Sequence, residues 1–164
     1  MRIPRELMWM DMCEVAARRS TCYRGNVGAM VIHNNDVVST GYNGPPSGHR
    51  HCDGPKCGKN EYGGCLRSDH AEKNAITRAI GKLRVSDLGG MHLYCTSAPC
   101  LECAKLIEGS HVGRMYFRNF YRDPTGLNHL LSLERNYPIL YRVMPSGVII
   151  HQKTGQILQS DDTA

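Results

Sequence analysis

Apolar and polar positions repeat along this chain with two different periods, and the changes of period mark out its elements. Residues 6–19, ELMWMDMCEVAARR, put Met8, Met12, Val15 and Ala16 on one helical stripe and end in two arginines, which predicts a first helix with basic residues in its last turn. Two β-branched runs follow, VGAMVIH at 27–33 and DVVSTGYNG at 36–44. Asn34-Asn35 between them is a hairpin signal, so both runs are predicted strands.

The pattern then stops. From Pro45 to Arg67 the chain reads PPSGHRHCDGPKCGKNEYGGCLR, with five glycines, three prolines and three cysteines and no apolar period. An insert of that length without regular structure is expected to be functional or to be held by something other than a core.

Helical spacing returns at 70–81, where Ala71, Ala75, Ile76, Ala79 and Ile80 share a face and Gly81 supplies the stop. A strand is predicted at 91–96, and a helix at 99–109 with Pro99 in its first turn and Gly109 at its end. Residues 113–118 read as a strand, 124–134 as a helix and 139–144 as a strand. This alternation implies right-handed crossovers and parallel pairing after the initial hairpin. The expected architecture is α/β, a mixed five-stranded sheet with helices on both faces, in one domain over 1–164. Residues 147–158 could add one hairpin turning at Lys153-Thr154-Gly155, and the polar 159–164 should fray.

Composition narrows the function. A chain of 164 residues buries enough core to need no covalent staple. It opens with no basic and apolar leader and has no apolar run near the length of a membrane span, so a reduced, cytoplasmic setting without a membrane partner is expected. There, metal ligation outranks disulfides as the use of eight cysteines. The net charge of +5, from 20 basic against 15 acidic residues, is a mild excess. Local clusters, Arg18, Arg19 and Arg24, then Arg114, Arg118 and Arg122, suit a phosphate-bearing small molecule as well as a strand of nucleic acid.

The chemistry concentrates in HAE at 70–72 and PCLEC at 99–103. Cys100 and Cys103, three apart on a helix, present both thiols to one side, and a helix N-terminus favours the thiolate. Taken alone, the pair also fits a redox dithiol or plain core cysteines. His70 at the start of the other helix can supply a third ligand at the carboxyl edge of the sheet. One histidine and two cysteines leave a tetrahedral zinc one position for water, as catalytic rather than structural sites do. Zinc lowers the pKa of that water toward neutrality. Glu72 lies about 200° round the helix from His70 and reaches the site only end-on. There it would take the water's proton and hand it to a leaving nitrogen. An acid favoured by the helix dipole is its plainer reading. Together, H-x-E and P-C-x-x-C form the signature of zinc nucleobase deaminases.

On the segments STCYRGNVGAM (20–30), STGYNGPPSG (39–48), DHAEKNAI (69–76), TSAPCLEC (96–103) and YRDPTG (121–126), the sequence resembles the deoxycytidylate deaminases of the cytidine-deaminase-like superfamily. The resemblance runs from the first helix to the strand near 144. It implies a three-layer α/β/α fold and hydrolysis of dCMP to dUMP, which feeds thymidylate synthesis. It also implies a cytoplasmic homohexamer, activated by dCTP and inhibited by dTTP, with zinc on His70, Cys100 and Cys103 and Glu72 as the catalytic acid and base. Asn43 would hold the sugar hydroxyl, Gly44 and Pro45 would shape the nucleotide pocket, Arg24 would receive the 5′-phosphate and Tyr121 would line the base or sugar. Ala71 and Ser97 complete the implied substrate-binding set. A phosphate does need backbone amides or a guanidinium fork, and Arg24 with the glycine-containing 41–48 loop offers both. Asn43-Gly44 in isolation reads as an ordinary turn.

Cys22, Cys52, Cys57 and Cys65 could hold a second, closed zinc that folds the insert, with His49 or His51 replacing one thiol. Members of the family with a second zinc draw it from positions like Cys22 and Cys52. Free cysteines in a loop are the alternative. Cys13 and Cys95 read as buried small hydrophobes, and His33, His92, His111, His129 and His151 have no partner visible in sequence. Two rival functions remain, a polynucleotide deaminase of the tRNA-adenosine type and a non-catalytic zinc module. The first lacks a basic helix or tail here, and the second has no use for Glu72 beside an open position.

Overall fold

The computed structural model describes residues 2–52, 54, 58, 59, 61, 65–134 and 137–158. The elements run α1 (Arg5–Ala17), β1 (Gly28–His33), β2 (Asp36–Tyr42), α2 (Ala71–Ile80), a 3₁₀ segment (Val85–Gly90), β3 (His92–Ser97), α3 (Leu101–Gly109), β4 (Arg114–Asn119), α4 (Thr125–Leu131), β5 (Ile139–Val143), β6 (Ile149–His151) and β7 (Ile157–Leu158). One sheet holds all seven strands in the order β2-β1-β3-β4-β5-β6-β7. The tail hairpin forms, so the sheet has seven strands where five were expected. Residues 159–164 lie outside the described residues.

Chain direction sets the functional edge. β1 runs antiparallel to both β2 and β3, while β3, β4 and β5 are parallel. Hence β2, β3 and β4 all finish at the same edge, where open α/β sheets bind ligands. The turn into β2 is made by Asn34 and Asn35, both at positive φ (51° and 63°), the backbone of a tight hairpin turn that matches strand twist.

Each face of the sheet carries its own core. On one side Ala71, Ala75, Ile76 and Ala79 of α2 join Ala104 and Ile107 of α3, Leu127 and Leu130 of α4, and Val31, Leu93, Cys95, Met115 and Phe117 of the strands. On the other, Trp9, Met10 and Cys13 of α1 cover Met30, Ile32, Tyr94, Tyr116 and Tyr141. The result is a three-layer α/β/α sandwich.

The buried face of α1 is not the predicted one. Trp9, Met10, Cys13 and Ala17 point inward, whereas Met12 and Val15 are exposed at 37% and 63%. The reason lies in β1. A Cβ at Gly28 would sit 2.0 Å from the Cys13 carbonyl oxygen and 2.6 Å from the Ala17 nitrogen, so α1 can lie this close only along its small-residue face. Arg18 and Arg19 follow the helix rather than closing its last turn. Two smaller corrections concern α2 and α3. Ile80 is exposed, and α3 begins at Leu101 with Cys100 as its N-cap and Pro99 before it.

Arg118 leaves the predicted basic cluster, because its guanidinium pairs with Asp11 (2.9 Å) and Glu14 (3.5 Å) of α1 on the face opposite α2. His129 has a partner after all, Glu108 of α3, at 2.8 Å. No helix among the described residues is long and apolar enough to cross a membrane.

Candidate active site

His70 and Cys100 are the N-caps of α2 and α3, and Cys103 lies one turn into α3. Two helix N-termini therefore meet at the carboxyl edge of the sheet, each with a partial positive charge that favours thiolate. Cys100 Sγ lies 3.3 Å and Cys103 Sγ 3.4 Å from His70 Nδ1. All three donor atoms are within 4.8 Å of one another. A tetrahedral zinc with ordinary Zn–N and Zn–S bonds sets its nitrogen and sulfur ligands about 3.6 Å apart, so the donors fit the ion in both type and spacing. Among the described residues no other group of three histidine, cysteine or carboxylate donors is this close.

Glu72 is 4% exposed. Its carboxyl group interacts with His70, Cys100 and Cys103 of the triad. Burial pushes its carboxyl up to about 7, opposed by a backbone hydrogen bond and the charge of His70. The cluster is polarised in itself. The hydrogen bond from Cys103, helped by His70, draws Cys100 down to about 4 against the cost of burial, while Cys103 moves up. His70 rises to about 9, chiefly through its hydrogen bond to Cys100.

Neighbouring backbone fixes these groups. Gly41 has no room for a side chain, since a Cβ there would lie 2.2 Å from the Ala71 carbonyl oxygen and 2.6 Å from the Ala75 nitrogen. Gly44 and Asp69 exchange two backbone hydrogen bonds of 3.1 and 2.9 Å, tying the GYNG turn to the residue before His70. Gly126 at the start of α4 abuts the other half of the site, with a would-be Cβ 2.3 Å from the Pro99 carbonyl oxygen and 2.4 Å from the Cys100 carbonyl carbon. Asn119 reaches the same segment, donating to the Thr96 carbonyl (3.0 Å) and accepting from the Ala98 amide (2.8 Å). Sequence reasoning missed Gly126 and Asn119. A glycine inside the predicted 124–134 helix was the available signal for the first.

The remaining predicted residues are spread around this centre. Asn43 is buried, and its side chain clamps the loop after Arg24, with Oδ1 accepting from the Val27 amide (2.8 Å) and Nδ2 donating to the Gly25 carbonyl (2.9 Å). Arg24 itself is exposed. Ala71 is fully buried at the start of α2, Ser97 ends β3, and Tyr121 packs against the core with Arg122 above its ring. Pro45 belongs to a cleft of about 430 Å³ that it shares with Pro46, His49, Cys65, Arg67, Asp69 and Glu102. Because Asp69 and Glu102 adjoin ligands on both helices, this cleft opens beside the triad. Cys22, Cys52 and Cys65 do not gather into a further donor group among the described residues, and Cys57 lies outside them. None of the described cysteines is in a disulfide.

A profile of the family described as "Cytidine and deoxycytidylate deaminase zinc-binding region" matches residues 4–119, which span both halves of the donor triad. The chain belongs to this deaminase family. The deoxycytidylate deaminase of Schizosaccharomyces pombe is 35% identical over 133 residues, covering 76% of this chain and 40% of its own length. That of Mycobacterium phage D29 is also 35% identical, over 119 residues, covering 66% of this chain and 90% of its own. The crystal structure of dCMP deaminase from cyanophage S-TIM5 in complex with dCMP and dUMP superposes with a TM-score of 0.63 at 35% identity, over 74% of this chain and 85% of that one. The deaminase fold of this chain thus agrees with the three-layer expectation. It spans less than half the length of the fission-yeast relative, and the match covers the zinc-binding region rather than that whole protein.

Proposed function

We propose that this chain is a zinc-dependent hydrolase that converts dCMP to dUMP and ammonia. One observation carries the reading: a buried carboxylate, Glu72, stands at a triad of one nitrogen and two sulfur donors that lacks a fourth protein ligand among the described residues. A structural zinc site would be closed. Zinc, bound by His70, Cys100 and Cys103, supplies the Lewis acidity that makes water nucleophilic near neutral pH.

The residues of the chain do the rest. Glu72 accepts a proton from the water that attacks C4 of cytosine and delivers protons to the exocyclic nitrogen. The new C4–O bond forms, the C4–N bond breaks, and ammonia leaves with uracil behind. The buried setting of Glu72 keeps bulk water from competing for that proton. Asn43 presents its turn to the sugar, with Gly44, Pro45 and Ala71 shaping the nucleotide pocket and Ser97 and Tyr121 lining it. Arg24 takes the 5′-phosphate.

Named relatives support the substrate, since the phage and yeast proteins are deoxycytidylate deaminases and the cyanophage enzyme was crystallised with dCMP and dUMP. The reading extends to a supply of dUMP for thymidylate synthesis, activation by dCTP, inhibition by dTTP, a homohexamer and a cytoplasmic location, all of which rest on family resemblance. It also includes a second zinc on Cys22 and Cys52 with Cys57 and Cys65. What supports that site is the insert itself, where Lys59–Cys65 is an isolated bridge and three cysteines fall within fourteen residues.

The test is ammonia release from dCMP, CMP, deoxycytidine, dCTP and a tRNA-type substrate, with zinc counted per chain. Turnover confined to dCMP with two zincs is expected. Zinc without turnover on any of them overturns the enzyme reading in favour of a structural module. Salt-sensitive turnover of tRNA overturns the substrate.

A further inference from the structure

Helix α2 carries a second pattern besides its apolar face. Asn74, Arg78 and Lys82 recur every four residues from within α2 to just past its end, and each donates to a backbone carbonyl of the edge strand β2. Asn74 Nδ2 reaches the Tyr42 oxygen at 2.9 Å, Arg78 Nη1 the Thr40 oxygen at 2.8 Å and Lys82 Nζ the Val38 oxygen at 2.8 Å. The acceptors recur every two residues, in the opposite chain direction.

Those intervals match. Four helical residues advance about 6.0 Å, and two strand residues about 6.7 Å. A row at that spacing meets a row of alternate carbonyls without slippage, so the three bonds form only when α2 sits at one axial position on β2. Sliding the helix along the strand by a single residue would break all three together. Strand alternation turns the carbonyls of Tyr42, Thr40 and Val38 to the same side of β2, and the register shift between Val31 and Ile32 leaves Val38 as the extra residue at the end of the row. β2 is the first strand of the sheet, with no neighbour beyond it among the described residues. The ladder therefore also occupies acceptors that would otherwise invite another strand.

We propose that Asn74, Arg78 and Lys82 are positioning residues that set the depth of α2 in the site, and hence the placement of His70 and Glu72 against the Asn43–Gly44 turn. Both ends of the ladder's influence are visible. Asn74 lies one helical turn from His70, and its acceptor Tyr42 directly precedes Asn43. The effect of losing a rung should then fall with distance from the site, in the order Asn74, Arg78, Lys82. This proposal rests on the deaminase reading for its kinetic consequence, though not for its geometry.

Single variants N74A, R78A and K82A, with N74Q as the conservative replacement that retains a donor, would be compared in kcat and KM for dCMP, thermal midpoint and the visible spectrum of the Co²⁺-loaded protein. The expected result is a fall in kcat on the order of 10-fold or more for N74A, with KM within about twofold, because displacement of a catalytic group by a fraction of an ångström weighs on the chemical step. N74A should also shift the Co²⁺ bands through His70, N74Q should recover part of both, and R78A and then K82A should show the same changes in decreasing size. Losses that follow the thermal midpoint instead of distance from His70 would overturn the proposal, as would an N74A protein with unchanged spectrum and kcat. The Co²⁺ spectrum needs no substrate. If wild type fails to turn over dCMP while N74A still shifts the bands, the substrate reading falls and the positioning role stands.

Discussion

Gly44 and Asp69 hold each other by two backbone hydrogen bonds, the Gly44 amide to the Asp69 carbonyl at 3.1 Å and the Asp69 amide to the Gly44 carbonyl at 2.9 Å. This short bridge joins the end of the first hairpin to the segment that enters α2, across the whole intervening insert. It keeps Asn43 and His70, far apart in the chain, in register with each other.

The bridge uses only backbone atoms, and that separates two glycines of one motif. Gly44 has open space, the nearest atom to a would-be Cβ being Thr21 Oγ1 at 3.9 Å, whereas Gly41 faces the α2 backbone at 2.2 Å. Gly44→Ala is expected to change stability by no more than about 0.5 kcal/mol. Gly41→Ala must push α2 off β2, costing at least about 1–3 kcal/mol and weakening zinc retention with it. Thermal melts with zinc quantified per chain check both, and equal behaviour of the two variants would remove the close approach from the argument.

Glu72 can be separated from the metal ligands by the same assay. Glu72→Gln keeps the shape of the side chain but cannot cycle a proton, and Glu72→Ala removes it. Both variants should bind one zinc at the triad with unchanged stoichiometry and lose turnover on the order of 10²–10⁴-fold. Zinc lost from the isosteric Gln variant would instead make Glu72 a structural member of the cluster.

How legible this molecule is from its sequence depends on where the deciding contact lies. The triad was readable because zinc chemistry dictates both residue type and spacing, and His70, Cys100 and Cys103 do converge. The Asn34-Asn35 turn was readable because positive φ at both positions selects few residues. Helix α1 was not, since its apolar residues are spread around the helix and the face that wins is chosen by Gly28, eleven residues beyond it. Likewise Asn43 looked like a turn residue or a sugar ligand, and its clamp on Gly25 and Val27 is a tertiary contact with no local signature. The tail strands were weak because β6 and β7 have three and two residues, too few for a period to show.

A pH effect on folding is expected from the end of the sheet opposite the site. His92 at the start of β3 is held down to about 4, first by burial and then by the nearby charges of Arg114 on β4 and His33 on β1. Its ring also lies 6.1 Å from that of Tyr116. An unfolded chain takes up this proton near the ordinary histidine value of 6.5, while the folded one resists until about 4. Stability contributed by neutral His92 is therefore complete above pH 6.5 and is lost as the pH falls from 6.5 to 4. Melting temperatures of wild type and His92→Gln across that window should converge or cross as the pH drops, with the variant losing less. Parallel curves would show that His92 does not carry this share of the acid sensitivity.

Arg24 gives the sharpest division between binding and chemistry. It is exposed, but the chain immediately after it is fixed, because Asn43 grips the Gly25 carbonyl and the Val27 amide at 2.9 and 2.8 Å. A guanidinium on an anchored loop would meet a phosphate, as proposed for Arg24, without first ordering its backbone, which would lower the entropic cost of the contact. A charge-assisted contact of about 1.5–3 kcal/mol corresponds to roughly 10- to 150-fold in affinity. Arg24→Ala should therefore raise KM for dCMP by about that factor while leaving deoxycytidine, which lacks the phosphate, nearly unchanged. Asn43→Ala should impair both substrates, since it frees the loop and disturbs the turn next to the nucleotide pocket. If Arg24→Ala affects the two substrates equally, the phosphate is held elsewhere, and His49 and Arg67 of the neighbouring cleft become the next basic groups to replace.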